Sequence, residues 1–167
     1  MRRVGRGFWL AVVAGAIVGS PRLDAQARAG KVAGSIARLF GPVAQVDTLT
    51  VDGRDVLRVS RGDSLLGFAQ VRDVKGKDQA ITVLVAIDAA DRIKDIDILV
   101  YREPYGGEVA YDAWRRQFRG KASSDPLQVG RDIRSISGAT ISVNAVTLAV
   151  RQIVTELTTW HRTGVIE

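Results

Sequence analysis

The 167-residue chain contains no cysteine and a single histidine, His161, close to its C-terminal end. The absence of cysteine excludes disulfides, thiolate nucleophiles, cysteine-ligated iron–sulfur clusters, c-type haem attachment and a lipoprotein anchor. A single imidazole cannot build a histidine-rich metal site, and no Ser–His pairing indicates nucleophilic catalysis. We therefore predict neither metal ligands nor catalytic residues, and any redox chemistry would need an organic cofactor.

The chain beyond residue 27 also lacks a strong net charge of either sign. The net charge is +6, from 24 Lys and Arg against 18 Asp and Glu. Half of this excess lies in residues 1–27, so the rest of the chain is only mildly basic and no nucleic-acid partner is predicted. The length and the apolar fraction of 46% predict one globular domain.

Residues 1–29 are predicted to be a signal peptide or an N-terminal membrane anchor. Arginines at positions 2, 3 and 6 precede an apolar run over 8–19, and two small-x-small cleavage candidates follow at 25–27 and 27–29. The apolar run is short for a membrane span, which favours cleavage and leaves an uncleaved anchor as the alternative. Both interpretations predict export, to the periplasm or to the outer face of the cytoplasmic membrane, with membrane association possible through the N-terminus.

The hydrophobic period predicts an α+β fold, with a short helix or linker over 30–42 and one domain over 43–167. Between 43 and 101 the period is two, and turn signals such as Asp52-Gly53 separate the apolar runs, as is typical of an antiparallel meander. The predicted strands cover 46–51, 56–60, 65–71, 81–87 and 93–101, with a possible bulge at Gly67. A long amphipathic helix is predicted from Thr140 to about Trp160 to pack on this sheet.

A second helix is predicted from Glu108 to Arg119. It would align Tyr111, Trp114 and Phe118 on one face, where core packing is the simpler interpretation and contact with a cofactor the alternative. The arginines of its other face would be solvated or would contact an acidic partner.

The most informative stretch is Ser137-Gly138-Ala139-Thr140, which joins an extended run to the final amphipathic helix. The Thr140 hydroxyl is expected in a tight turn just before a helix N-terminus, where backbone N–H groups and the helix dipole favour a phosphate. The small neighbours Gly138 and Ala139 would let a second protein approach closely. Ser142 is expected to cap the helix or to lie near the phosphate.

These residues, followed by Ile141-Ser142, resemble the flavinylation motif of the FMN-binding domain family, which occurs in extracytoplasmic subunits of Rnf complexes and of the sodium-translocating NADH:quinone reductase. The resemblance implies that FMN is attached to Thr140 by a phosphoester bond, installed from FAD by a flavin transferase. It also implies membrane or periplasmic redox proteins as partners. The resemblance covers roughly residues 79–155.

The loop Tyr101 to Val109 contains Glu103, Gly106 and Gly107. It resembles a glutamate-, proline- and glycine-containing loop that the family places near the flavin ring, which implies a cofactor contact for these three residues. Its glycines would let backbone N–H groups approach the ring and stabilise negative charge on the reduced form. A plain strand-to-helix connection is the alternative.

The family usually has an acidic residue three positions before the serine of the motif. This chain has Arg134 there, and its nearest acid is Asp132. Three functions therefore stay open, namely an exported electron-transfer domain carrying FMN on Thr140, a small flavin-dependent reductase, and an accessory or structural subunit of a membrane complex that keeps the fold without flavin.

Overall fold

The computed structural model describes residues 21–42 and 44–167, and the basic and apolar parts of the predicted leader lie outside these ranges. The described chain forms one five-stranded sheet with helices on it, which confirms the predicted α+β fold. The elements are α1 (Pro21–Phe40), β1 (Gln45–Val51), β2 (Arg54–Arg61), β3 (Ser64–Lys75), β4 (Ala80–Asp88), β5 (Ile93–Val100), a 3-10 turn (Gly107–Ala110), α2 (Asp112–Arg115), a second 3-10 turn (Arg116–Phe118) and α3 (Thr140–Arg162).

The sheet is an antiparallel meander in which each strand pairs with the next along the chain, in the order β1-β2-β3-β4-β5. This order confirms the topology predicted from the short connections between strands. The predicted irregularity at Gly67 is also present, since the β2–β3 register shifts between Val59 and Ser60 opposite Gly67. Gly67 has a φ of +149°, and a Cβ there would overlap the Ile87 carbonyl oxygen of β4, so only glycine fits.

Helix α3 covers one face of the sheet and forms the main core with it. Its inward side chains recur with the helical period that the sequence showed, and all of them are buried: Val143, Val146, Val150, Ile153, Val154 and Leu157. They pack against alternate residues of β4, including Val83, Val85 and Ile87. This packing confirms the predicted final helix and fixes the position of its N-terminus, Thr140, relative to the sheet.

Helix α1 covers the opposite face, since Leu84 and Ala86 of β4 pack with Ile36 and Phe40 of α1. The helix covers Pro21–Phe40 and is therefore longer than the short helix predicted over 30–42, and its residues Ile36 and Phe40 pack on the sheet. The Ser35 hydroxyl donates a 2.6 Å hydrogen bond to Asp97 of β5. Both cleavage candidates of the predicted leader lie within this helix.

The single helix predicted over 108–119 is wrong, because the chain there forms three short helical pieces interrupted at Tyr111, whose ψ of 138° is extended. Tyr111 is exposed, whereas Trp114 and Phe118 are buried edge to face, 5.1 Å apart. Contacts with other parts of the chain, rather than the local helical pattern, determine where this segment breaks.

The arginines of these pieces do not form a purely solvated face. Arg115 and Arg119 pair with the buried carboxylate of Asp95 at 3.3 and 2.9 Å. These ion pairs hold the segment 107–118 against β5, whereas Arg116 is exposed and donates a 3.3 Å hydrogen bond to the Ala113 carbonyl.

Candidate functional site

The turn before α3 leaves the Thr140 side chain exposed at the first residue of the helix. Gly138 turns the chain with a φ of +79° and has open space beside it. Ala139, which is buried, anchors the turn in the core, and its N–H donates a 3.1 Å hydrogen bond to the Ile136 carbonyl. The structure thus places Ser137, Gly138 and Thr140 at the surface. Ala139, which was expected to leave room for a second protein beside Thr140, is instead buried beneath them.

The N-terminus of α3 is open to an anion. The Val143 N–H donates to the Ala139 carbonyl at 2.9 Å, and no side chain caps the helix. Backbone N–H groups of a first helical turn have no partner within the helix, and they carry the positive end of its dipole. In a helix of 23 residues, this end is a suitable place for a phosphate group.

Ser142 does not cap the helix, contrary to one of the roles expected for it. Its side chain is buried, and its Oγ lies 2.9 Å from the Tyr101 hydroxyl. The Tyr101 hydroxyl also donates a hydrogen bond to the Tyr105 carbonyl. Tyr101 therefore ties the end of β5, the following loop and α3 together, a role that sequence reasoning missed because its only signal was a tyrosine at a strand end.

Gly106 brings the predicted loop against the predicted motif. Its φ is +88°, and a Cβ there would lie 2.7 Å from the Tyr101 hydroxyl and 3.0 Å from the Ala139 Cβ. Gly107 has more room, with the nearest atom, on Tyr101, at 4.0 Å. The two stretches that the sequence singled out, roughly 30 residues apart in the chain, are therefore in contact at Gly106.

Glu103 holds a neighbouring turn. Its Oε1 accepts hydrogen bonds from the backbone N–H groups of Asp78 at 2.8 Å and Gln79 at 3.0 Å, in the β3–β4 connection. The hydrogen bond from Gln79, with that from Asp78, holds the pKa of Glu103 below its ordinary value. Glu103 lies on the wall of a cleft beside Thr140, but this oxygen is already engaged with backbone.

Three adjoining clefts surround the turn. The attachment cleft, about 260 Å³, lies between residues 103–105 and 138–142. The loop cleft, about 260 Å³, lies between residues 104–108 and 137–138. The arginine cleft, about 650 Å³, lies between residues 108–117 and Arg134 and Ile136. The first two share Pro104, Tyr105 and Gly138, and the last two share Glu108 and Tyr111, so the three clefts adjoin one another, and together they are called the groove.

The backbone of Arg134 is fixed beside this groove. Its carbonyl accepts a 2.8 Å hydrogen bond from the Trp114 indole, and its N–H donates a 2.8 Å hydrogen bond to the Gln117 side-chain oxygen. Its side chain is exposed and lines the arginine cleft. The position at which the family usually has an acid therefore contributes a cation to the groove.

Asp132, the acidic residue nearest to position 134 in the sequence, does not supply a carboxylate to the groove in place of the family's usual acid. Its carboxylate accepts hydrogen bonds from the Gln128 and Leu127 N–H groups at 2.8 and 3.2 Å and pairs with Lys121 at 3.1 Å. Burial raises the pKa of Asp132, but the Gln128 hydrogen bond and the Lys121 ammonium outweigh it and hold the pKa below its ordinary value. Asp132 thus organises the loop before the motif.

Within residues 21–42 and 44–167, no cluster of three or more His, Asp or Glu side chains forms a candidate metal site. In the same described ranges, no helix combines the length and the apolar character needed to cross a bilayer. The residues at the groove, by contrast, suit an organic phosphate: an exposed hydroxyl, an uncapped helix N-terminus and a close glycine approach.

Two comparisons with known proteins cover the part of the chain that forms the groove. Residues 76–155 match the family model of the FMN-binding domain, a range that runs from the β3–β4 turn into α3 and includes the whole groove. The chain is also 30% identical over 115 residues, 64% of its length, to a subunit of the proton-translocating ferredoxin:NAD(+) oxidoreductase complex of Clostridium ljungdahlii. It spans 62% of that relative's length. Residues 76–155 therefore form a domain of the FMN-binding type, as the resemblance of the motif implied.

Proposed function

We propose that this protein is an exported electron-transfer domain that carries FMN through a phosphoester bond to Thr140. The observation that carries the proposal is the position of Thr140, whose exposed side chain stands at the uncapped N-terminus of α3 and lines the groove. A bound flavin would supply one- or two-electron chemistry, which none of the chain's own side chains offers.

Attachment would be a phosphoryl transfer from FAD. The Thr140 oxygen attacks the FMN phosphorus, the bond to the bridging oxygen breaks, AMP leaves with the bonding electrons, and the hydroxyl proton passes to a base of the flavin transferase. The turn supplies an accessible nucleophile, because Ser137 and Gly138 are small and add little bulk around Thr140. The metal and the in-line geometry belong to the transferase.

After attachment, the chain's residues would hold the phosphodiester and orient the rest of the group. The first-turn N–H groups of α3 would bind the phosphodiester oxygens. Gly106 and Gly107 would present backbone to the groove, and the Tyr101–Ser142 pair would keep the loop and the helix in register. Glu103 would act indirectly, by fixing the β3–β4 turn at the cleft wall.

The partners would be membrane or periplasmic redox proteins. The relative from Clostridium ljungdahlii is a subunit of a ferredoxin:NAD(+) oxidoreductase complex, and a flavin held in an open groove beside the surface residue Thr140 suits relay between larger proteins. A covalent link would keep the flavin in place outside the cytoplasm, where the free cofactor is scarce and a dissociable site would stay empty by mass action.

Intact-mass spectrometry of the full chain co-expressed with a flavin transferase tests the assignment. We expect a yellow protein whose mass exceeds that of the polypeptide by one FMN group, and no added mass in Thr140→Ala. Thr155→Ala, which changes an exposed threonine of the same helix, is the matched control and should be loaded like the parent chain.

Three outcomes would reject the proposal. Covalent flavin on Thr140→Ala would place the attachment elsewhere. A colourless parent chain that co-purifies with membrane partners would favour the accessory subunit. Flavin turnover with a small substrate, without any partner protein, would favour the reductase.

A further inference from the structure

The arginine cleft is the largest of the three cavities along the groove, at about 650 Å³ against about 260 Å³ for each of the other two. Small-molecule sites usually have roughly 300–1,000 Å³, so only this cleft has the size expected for a planar three-ring group. The attachment and loop clefts lie between it and Thr140, and they have room for the phosphate and a narrow linear chain.

The walls of the arginine cleft suit a planar aromatic group. Trp114 and Ile136 contribute apolar lining, and the aromatic residue Tyr111, which is 63% exposed, also lines the cleft. Aromatic rings of this kind stack on other flat π-systems. The Trp114 indole N–H is already used by the Arg134 carbonyl, so its ring is held in one orientation.

The same cleft carries a positive charge. Arg116 and Arg134 both line it, and Glu108 is the acidic residue among its lining groups in the described chain. Arg115 and Arg119 are occupied by Asp95, whereas no carboxylate of the described residues lies within ion-pair distance of Arg116 or Arg134. Arg116 uses its Nε–H in a 3.3 Å hydrogen bond to the Ala113 carbonyl, so its two terminal amino groups and the Arg134 guanidinium remain to interact with a ligand.

We propose that the flavin ring lies in the arginine cleft and that Arg134, assisted by Arg116, favours its anionic reduced form. The inference rests on the proposed function, since it assumes FMN on Thr140. Two electrons and one proton convert the neutral oxidised ring into a monoanion, and a nearby cation lowers the free energy of that anion. Arg134 is a positioning and tuning residue here, and it takes no part in attachment.

The fixed backbone of Arg134 is what makes this effect specific. The hydrogen bonds from Trp114 and to Gln117 hold its main chain at the cleft, so the side chain extends from a fixed point of the cleft wall. A carboxylate in its place would oppose the anion. This chain should therefore hold a flavin that is easier to reduce than the same chain with an acid at position 134.

A reductive titration of the covalently loaded protein tests the charge effect, with dithionite as the electron donor and a reference dye to report the potential. Arg134→Gln should shift the midpoint potential to more negative values, Arg134→Glu should shift it further, and Arg134→Lys should restore most of the parent value. The pKa of the reduced flavin, read from the pH dependence of the potential, should rise in Arg134→Gln.

Arg131→Gln is the matched control, because it removes one exposed cation of the same loop that does not line the cleft. Equal shifts in Arg131→Gln and Arg134→Gln would reduce the effect to net charge and overturn the inference. An unchanged potential in Arg134→Gln would also overturn it. Absence of FMN mass in the parent chain would instead reject the proposed function, so the two failures are distinguishable.

A second variant tests where the ring lies. Ala113 is exposed and lines the arginine cleft, so Ala113→Trp would fill the space without touching the motif. We expect full FMN mass but an altered visible circular dichroism of the flavin, whereas Ala89→Trp in the β4–β5 turn should leave the spectrum unchanged. Identical spectra in the parent, Ala113→Trp and Ala89→Trp would show that the ring lies elsewhere.

Discussion

At the scale of single residues, the site depends on one close contact between two parts of the chain. Gly106 packs against Ala139 of the motif and against the Tyr101 hydroxyl, with distances that leave no room for a side chain. Its φ of +88° is also a conformation that other residues adopt only with strain. The loop and the helix N-terminus can therefore meet only with glycine at this position.

Gly106→Ala should destabilise the protein and slow its loading with flavin. The added methyl group would push the loop from α3, and the strained φ adds to the loss, for a total of about 1–3 kcal/mol in the free energy of unfolding. Urea denaturation and a time course of FMN mass would measure both effects. Gly107→Ala, with its nearest neighbour at 4.0 Å, is the control and should change either quantity far less. Equal losses in the two variants would argue against the close contact.

The sequence could identify those site residues whose pattern lies within one short stretch of the chain. Thr140 and Gly138 lie together in the chain before a periodic helix, so a turn with an accessible hydroxyl was predictable, whereas the burial of Ala139 in the core was not. The Tyr101–Ser142 hydrogen bond joins residues 41 positions apart, and no local pattern indicates it. The same holds for Glu103, whose engagement with the Asp78 and Gln79 N–H groups requires the β3–β4 turn to be in place.

At the scale of elements, α3 is held at both ends, which fixes the position of Thr140. Near its C-terminus, His161 and Arg162 contact the buried Asp91 of the β4–β5 turn at 2.7 and 2.8 Å. The His161 ring also packs on Phe68 of β3, with ring centres 5.0 Å apart. The single histidine of the chain thus serves to dock the helix on the sheet.

This docking makes stability depend on pH at the acid end. Burial raises the pKa of Asp91, but the hydrogen bonds and charges of His161 and Arg162 outweigh it and hold the pKa below its ordinary value. A carboxyl whose folded pKa is depressed contributes stability above its unfolded pKa of about 3.9 and loses it as the pH falls toward the folded value.

Asp91→Asn should therefore lower the stability at pH 7, by about 1–3 kcal/mol for hydrogen bonds to a charged group, and should flatten the decline below pH 4. Urea midpoints between pH 7 and pH 2 would measure this. Asp63→Asn, in the exposed β2–β3 turn, is the control and should keep the parent's pH profile. If Asp91→Asn and the parent lose stability in parallel below pH 4, the ion pairs do not stabilise the fold.

Elements with a regular period were predictable, and those shaped by distant charges were not. The strands and α3 follow periods of two and 3.6, so their order and buried faces could be predicted. The segment 107–118 has a helical pattern, yet it breaks at Tyr111 while Arg115 and Arg119 reach Asp95 of β5. The position of a buried carboxylate on another strand is not contained in a local pattern.

At the scale of the whole molecule, the sheet separates two layers with different tasks. Helix α3 and the groove lie on one face, and α1 covers the other through Ile36 and Phe40. Asp95 links them, since its carboxylate contacts Arg38 of α1 as well as Arg115 of the segment 107–118 and Arg119 directly after it. The residue is 1% exposed, so these cations neutralise a charge that would otherwise be costly to bury.

This arrangement predicts that stability and flavin chemistry respond differently to changes in α1. Ile36→Ala removes a buried side chain from the face opposite the groove and should lower the free energy of unfolding by about 2–5 kcal/mol. Leu148→Ala, which truncates an exposed residue of α3, should cost far less. Native protein of both variants should carry FMN on Thr140 with an unchanged potential.

Cleavage at either predicted site, 25–27 or 27–29, would leave Ile36 and Phe40 in the mature protein, so the same loss of stability is expected in the exported form. An unchanged urea midpoint in Ile36→Ala would show that α1 does not pack on the sheet in solution.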